Sequence, residues 1–364
     1  MAERGATPDV PKPQRRVLKA LSAFSSPLRL DDYLELINPL WSTRELRGRI
    51  ERIERETPDA ATVVIKPAWS WVGHEPGQYL RIGVEIDGKL NWRAYSLSSD
   101  PGRPDRHITI TVKRVSEGTV SPFLSSPEAE GAIVRLGGVD GQFVMPDPMP
   151  EKVLFLTAGS GVTPVMAMLR HFDRQGGMGD VVHVHSARTH GELIFGPELQ
   201  ALEARHEPFT LHALATDEDG RITPDRLDEL VPDWRERETF VCGPEEMLDA
   251  MEEHWEAAGL SEHIHTERFA SQIGGGATGE GGTIRLARSE TDAKSDGSMT
   301  ILDAGEEAGA SLPYGCRMGI CHTCQGRLRS GKVRDLRTGE VHGEEGEIIQ
   351  TCITAPEGPI EIDL

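Results

Sequence analysis

Apolar positions along the chain change their spacing several times, and each change predicts a different kind of structure. From about 46 to 150 they fall in short runs (RGRIERIE, ATVVIKPA, GQYLRIGVEI, NWRAYSLS, HITITVKRV and AIVRLGG) separated by Gly, Pro and Asp. Short runs broken at regular intervals by turn formers predict the strands of an antiparallel barrel. From 151 to 270 a different rhythm takes over. The apolar segments KVLFLTA, DVVHVHSA, FTLHALAT, ETFVCGP and IHTERFA alternate with TPVMAMLRHFDRQ, PELQALEARH, TPDRLDELV and PEEMLDAMEEHWEAAG, whose apolar residues recur at helical spacing. Strands alternating with helices predict an α/β unit with a parallel sheet and crossover helices. Pro164 and Pro244 fall at first-turn helix positions, where a missing N–H costs nothing. The stretch 271–282, SQIGGGATGEGG, reads as a flexible linker. Residues 283–364 then form a third unit. Upstream, 1–45 reads as a helical lead-in with Leu40 and Trp41 as packing anchors.

Length agrees with a multidomain chain, since 364 residues suit two or three domains. No apolar run approaches the roughly 20 residues of a membrane-spanning helix. Arg15 and Arg16 suggest a twin-arginine export signal, but the apolar ALSAF after them is short. Ser25, Ser26 and Pro27 break it, and Asp31 and Asp32 follow. The preferred reading is an amphipathic helix packed on the body of a cytoplasmic protein. A formal charge of −20 argues against nucleic acid and for a basic docking surface on any protein partner. Five cysteines, an odd number, do not suit a disulfide framework.

Four of those cysteines carry the strongest chemical signal. PYGCRMGICHTCQG places Cys316, Cys321 and Cys324 at C-x4-C-x2-C spacing, and Cys352 follows 28 positions after the third. Three thiolates on one tight loop reach one side of a 2Fe–2S cluster, and a distant fourth completes it. Gly315 and Gly319 let the backbone approach the sulfides. Zinc is the alternative, but structural zinc sites use two separated cysteine pairs, and only one such pair is present. With four thiolates available, His322 reads as an exposed loop residue. The segment resembles the plant-type ferredoxin domain over its whole length, which implies an α+β (β-grasp) fold.

Two further groups of residues matter together. RAYSLSS supplies Arg93, Ala94, Tyr95 and Ser96, and TVKRVSEGTVSPFL supplies Val112, Lys113, Gly118, Val120 and Ser121 at a strand-to-helix junction where backbone N–H groups can receive a phosphate. Gly141 and Phe143 follow. TAGSGVTP then places Thr157, Gly159, Gly161 and Thr163 at a strand end, and CGP places Cys242, Gly243 and Pro244 at another. The glycine pair alone does not match the G-x-G-x-x-G spacing of the usual dinucleotide fold.

In this order, residues 46–270 resemble the ferredoxin–NADP reductase superfamily. The resemblance implies an antiparallel flavin-binding barrel followed by a nicotinamide domain. Arg93 would bind the flavin phosphate, Tyr95 would stack on the ring and Ser96 would hydrogen-bond near its reactive nitrogen. Val112 to Arg114 would line the ring edge, and Gly118 to Ser121 would bind the pyrophosphate of FAD. Relatives using FMN carry a run like RGGS where this chain has EGTVS, so FAD is expected over FMN. The two strand-end turns would face each other across the nicotinamide, with Ser96 and Cys242 as the catalytic pair. A buried strand-end thiol is the alternative for Cys242. HSART, with Ser186 and Arg188, lacks the acidic residue that binds ribose hydroxyls, which favours NADPH over NADH. Arg188 could instead be a solvated charge, and Glu252, Glu253 and Glu256 read as a solvated helix face.

A nicotinamide gives two electrons as hydride, a 2Fe–2S cluster takes one at a time, and a flavin can do both. The expected route is NADPH to FAD to cluster to an external acceptor protein. The domain order and the lead-in DDYLELINPLW resemble actinobacterial reductases serving acyl-CoA desaturases, which implies a membrane-bound di-iron desaturase as partner, met transiently at the inner face of the membrane. The alternatives are a reductase for a soluble ring-hydroxylating or haem-thiolate oxygenase and a redox-responsive regulatory binding protein.

Overall fold

The computed structural model describes residues 30–364 except Asp87, Glu117, 270–278, Ser298, 315–318, Ile320 and Cys321. Two compact units divide between Arg268 and Phe269, with Trp92–Ala94 grouped with the second. The paired Arg15 and Arg16 of the lead-in lie outside the described residues. Its described part is a helix, α1 (Leu30–Ile37), and a single 3-10 turn over Pro39–Trp41. Asn38 caps that turn by accepting from the Leu40 N–H, and Glu35 pairs with Arg47 at 3.1 Å. Leu40 is buried as expected, but Trp41 is 42% exposed and anchors little.

The barrel comprises β1 (Arg47–Thr57), β2 (Ala60–Pro67), β3 (Tyr79–Ile86), β4 (Lys89–Ser96), β5 (Ile108–Lys113), the short helix α2 (Val120–Leu124) and β6 (Ile133–Asp140). Strand order is β4-β3-β6-β1-β2-β5. Leu97, one residue past β4, bridges Ile110 on β5, so the two edges meet and the sheet closes. Ile50, Ile65, Leu80, Ile82, Leu97, Ile108 and Ile110 fill the interior.

The second half of this unit runs β7 (Lys152–Ala158), α3 (Val162–Gln175), β8 (Asp180–Ala187), α4 (Gly196–Arg205), β9 (Phe209–Ala215), α5 (Thr216–Asp219), α6 (Pro224–Leu230), β10 (Glu238–Cys242), α7 (Glu245–Ala257) and β11 (Ile264–Glu267). All five strands are parallel, in the order β11-β10-β7-β8-β9. Glu253 and Glu256 are exposed on α7, as expected for a solvated face. Glu252 departs from that reading, because it bonds Thr266 at 2.7 Å and Arg268 at 2.6 Å and so ties α7 to the last strand.

The second unit is a mixed sheet with one helix: β12 (Gly282–Leu286), β13 (Thr291–Ser295), α8 (Ile301–Glu307), β14 (Gln325–Asp335), β15 (Val341–His342), β16 (Ile348–Gln350) and β17 (Thr354–Asp363). The order is β13-β12-β17-β14-β15, with β12 and β17 parallel. The end of the glycine-rich run belongs to this sheet rather than to a loose linker. Gly279 N–H donates to the Gly297 carbonyl at 2.8 Å, and Gly281 N–H to the Pro356 carbonyl at 3.1 Å. A β-carbon on Gly282 would come within 2.1 Å of the Gly358 carbonyl oxygen, so only glycine permits this approach.

One face of the parallel sheet carries an aromatic row across all five strands. Ring centroids follow from His265 to Phe240 at 4.6 Å, to Phe155 at 5.8 Å, to His183 at 5.9 Å and to Phe209 at 6.5 Å. Two residues nearer the carboxyl ends, the same face carries a polar row in register: Glu267, Cys242, Thr157 and His185. Thr157 Oγ1 lies 2.8 Å from both His183 Nε2 and His185 Nδ1. Both rings are fully buried, and burial pushes His185 down to about 4 and His183 well below its usual value.

These histidines remain neutral in the fold while the unfolded chain protonates below about pH 6.5. Their contribution to stability is therefore complete above that pH and is lost as pH falls toward 4, by about 3 kcal/mol for His185 alone. Urea unfolding of the His183→Leu/His185→Leu variant should show a shallower loss between pH 6.5 and 4.5 than the parent chain. Parallel curves would mean that the pair is not the acid-sensitive element.

Candidate functional site

In the parallel sheet β7 stands at the centre, with β8 and β9 on one side and β10 and β11 on the other. The chain thus reverses its direction of winding between β7 and β10, and the crevice beyond their carboxyl ends is where such sheets bind ligands. Both predicted turns lie there. Gly159–Gly161 forms a single 3-10 turn leading into α3, whose N-terminus has no side-chain cap. A β-carbon on Gly161 would sit 2.0 Å from the Cys242 carbonyl oxygen, so the first turn lies directly against the second. Gly243 is equally confined, by Met247 at 2.5 Å and Ala158 at 3.2 Å. Thr163 donates to the Ser160 carbonyl at 2.9 Å, and the Pro244 carbonyl accepts from Met247 and Leu248 at the start of α7.

Cys242 is fully buried, and burial, reinforced by the neighbouring Glu267, drives its thiol well above the ordinary range. Glu267 is the residue that sequence reasoning missed. Burial pushes its carboxyl up to about 8, offset in part by the Ser96 hydroxyl beside it. Neither group is fully satisfied: Ser96 Oγ and Glu267 Oε2 are buried without a hydrogen-bond partner among the described residues. An orphaned hydroxyl and an orphaned carboxyl beside a strand-end thiol suit a ligand whose edge offers hydrogen-bonding atoms, as a flavin ring does. The available signal was positional. ERF closes the last parallel strand and brings an acid to the same cross-strand level as Cys242.

On the barrel side, β4 carries Arg93, Ala94, Tyr95 and Ser96. Tyr95 packs against the barrel core, and Arg93 Nη1 donates to the Trp92 carbonyl at 2.8 Å. Val112 and Val120 are core residues, so any cofactor contact they make is through their backbone. Lys113 pairs with Asp59 at 3.3 Å. Gly118 N–H donates to the Val115 carbonyl at 3.0 Å, and Ser121 Oγ accepts from the Val115 N–H at 3.1 Å. These bonds draw the chain before α2 into a tight turn. Gly141 has φ +118, and Phe143 sets its ring edge-on to Phe240 at 5.4 Å. At the end of β8, Ser186 is buried, whereas Arg188 is 70% exposed and pairs with Glu192 at 3.0 Å.

In the second unit, Cys316 and Cys321 lie outside the described residues. Cys324 and Cys352 are buried, belong to no disulfide, and have sulfurs 3.1 Å apart. Gly319 N–H points at the Cys352 sulfur at 3.3 Å. Paired buried thiols with a backbone N–H aimed at sulfur suit an iron–sulfur cluster. His322 is turned away from metal ligation through Nδ1, which lies 3.1 Å from Gln350 Nε2 and 3.2 Å from Gln325 Nε2.

Comparison with known proteins agrees with this geometry. Residues 49–145 match the oxidoreductase FAD-binding domain family, 155–253 the oxidoreductase NAD-binding domain family and 284–357 the 2Fe-2S iron-sulfur cluster binding domain family. An NADPH oxidoreductase of Mycobacterium tuberculosis is 48% identical over 349 residues, covering 95% of this chain and 91% of that protein. The glycine betaine monooxygenase reductase subunit of Chromohalobacter salexigens is 31% identical, covering 89% and 96%. The solved structure of phthalate dioxygenase reductase shares the fold, with a TM-score of 0.60 at 22% identity over 88% of this chain and 98% of that one. The cofactors are FAD, NAD(P)H and a 2Fe–2S cluster. The chain belongs to the oxidoreductases that join a ferredoxin–NADP reductase-type FAD and NAD(P)H module to a C-terminal 2Fe–2S ferredoxin domain.

Proposed function

We propose that this NAD(P)H-dependent reductase draws on NADPH and delivers single electrons to a membrane-bound di-iron acyl-chain desaturase. The observation that carries the reductase reading is the convergence of Ser96, Cys242 and Glu267 at the sheet's switch point. The bound FAD and cluster would convert hydride into single electrons, and the chain's own residues orient and protonate. Cys242 and the Gly159–Gly161 turn form one wall of the nicotinamide crevice, and Ser96 faces it from the barrel. At neutral pH Glu267 carries its proton, so the acid can hold a hydrogen at Ser96 without placing a negative charge beside the site.

NADPH is supported by Arg188, the exposed cation after β8, and by the name of the 48% identical relative. To meet a 2′-phosphate, Arg188 would exchange Glu192 for it. Desaturase as acceptor rests on the lead-in around residues 28–41. A soluble oxygenase is the second reading, because relatives such as the betaine monooxygenase subunit are reductases of oxygenases. No described helix is long and apolar enough to cross a membrane. Under this reading an acidic chain, repelled by anionic lipid, reaches the desaturase through basic residues on the enzyme itself.

Three outcomes are expected. Arg188→Ala should lower kcat/KM for NADPH about tenfold relative to NADH; equal losses with the two coenzymes would remove the arginine from the phosphate site. In the parent enzyme stopped-flow flavin reduction should decline as pH rises through about 8, where the acid ionises, and Glu267→Gln should lose that decline. An unchanged profile would assign that proton elsewhere. Mixed with NADPH and desaturase-containing membranes, the protein should yield unsaturated acyl product. Turnover should fall with ionic strength while ferricyanide reduction changes little. Efficient support of a soluble oxygenase, with none for an active desaturase, would decide for the second reading.

A further inference from the structure

Ser96 opens a run of five consecutive buried residues, Ser96–Asp100, that leaves the barrel and runs along α3. The run is held to the barrel by many bonds. Ser98 Oγ lies 2.9 Å from Thr109 Oγ1 and 3.1 Å from Thr111 Oγ1. Ser99 Oγ accepts from the Thr109 N–H at 3.0 Å, and His74 Nε2 lies 3.0 Å from the Ser99 carbonyl oxygen. On its other side the run is bound to the helix. Arg170 donates to the Ser98 carbonyl at 2.6 Å and is itself fixed by both oxygens of Glu198. Asp100, 4% exposed, receives His171 Nδ1 at 2.9 Å and the Gly102 N–H at 3.1 Å, and it forms an ion pair with Arg174 Nε. Gly102 makes room for that arginine, since a β-carbon there would meet the guanidinium at 2.2 Å.

The two parts joined by this cluster end at the two halves of the site. Four residues before Asp100 lies Ser96, on the flavin side. Along α3, about 18 Å from Arg174 by helical rise, lies the Gly159–Gly161 turn on the nicotinamide side. We propose that Asp100, His171 and Arg174 form a positioning latch that sets the distance between the flavin and nicotinamide halves of the site. A near-buried carboxylate held between an arginine and an imidazole is costly to leave half-paired, so the two parts lock in one arrangement instead of sliding through many. Hydride transfer depends steeply on that distance, and a misplacement of about 1 Å can cost roughly a hundredfold in rate.

The inference rests on the reductase reading, and the test separates the two. Flavin bleaching by NADPH in the parent enzyme checks the reading itself; absence of bleaching in the FAD-loaded protein would defeat that reading and the latch with it. Given bleaching, Asp100→Asn should retain FAD and bind NADP+ within about twofold of the parent. It should slow hydride transfer at least about tenfold. It should also weaken the charge-transfer absorbance formed on mixing and make the primary deuterium isotope effect more temperature-dependent. Arg174→Met should do the same, and the double variant should be no slower than the worse single one, as expected of groups acting as a unit. Parent-like rates, absorbance and isotope effects in folded variants would overturn the latch. So would losses that only follow loss of FAD. Should Asp100→Asn fail to fold, Arg174→Met and His171→Gln carry the same comparison from partly exposed positions.

Discussion

The architecture of the site depends on one close approach, that of the Gly161 backbone to the Cys242 carbonyl. Two strand ends from opposite sides of the switch point come so near that neither turn can carry a side chain between them. That contact makes one crevice out of two loops. It fixes where α3 begins, and hence where its uncapped N-terminus points. It also sets the level at which Cys242, Thr157, His185 and Glu267 form one row, because parallel register leaves no freedom once β7 and β10 are aligned.

From this row follows the division of labour between the sheet's two faces. The face with Leu154, Leu156, Val184, Val241, Trp234 and Trp255 is ordinary hydrophobic packing. The other face turns from aromatic to polar within two residues, moving from Phe155 and Phe240 to Thr157 and Cys242. Buried polar groups are expensive unless satisfied. Their concentration at the carboxyl ends, several with an atom unsatisfied among the described residues, belongs to a site completed by something other than the chain.

Much of this was legible in the sequence. Strand and helix spacing gave the barrel and the parallel sheet, and the C-x4-C-x2-C run gave the cluster. What escaped was whatever depends on register between distant strands. Glu267 sits in a segment that looks like any strand end, and only pairing β11 with β10 brings it level with Cys242. Asp100 lies in a polar loop, SLSSD, whose serines suggest exposure; they are buried because Thr109 and Thr111 stand opposite. Trp41 departs from its expected anchoring role for the converse reason, since a large aromatic side chain does not have to be covered. The end of the glycine run shows that composition cannot tell glycine chosen for flexibility from glycine chosen for tight contact.

The Thr157 hydroxyl has a consequence for the two imidazoles that flank it. One hydroxyl holds one proton. It can donate to His183 Nε2 only if His185 Nδ1 donates to it, or the reverse. In either case both rings carry their hydrogen on the same nitrogen, both on Nδ1 or both on Nε2, so their tautomers change together or not at all. The interior of the nicotinamide domain thus admits just two arrangements of three coupled hydrogens, one strand away from the Cys242 thiol.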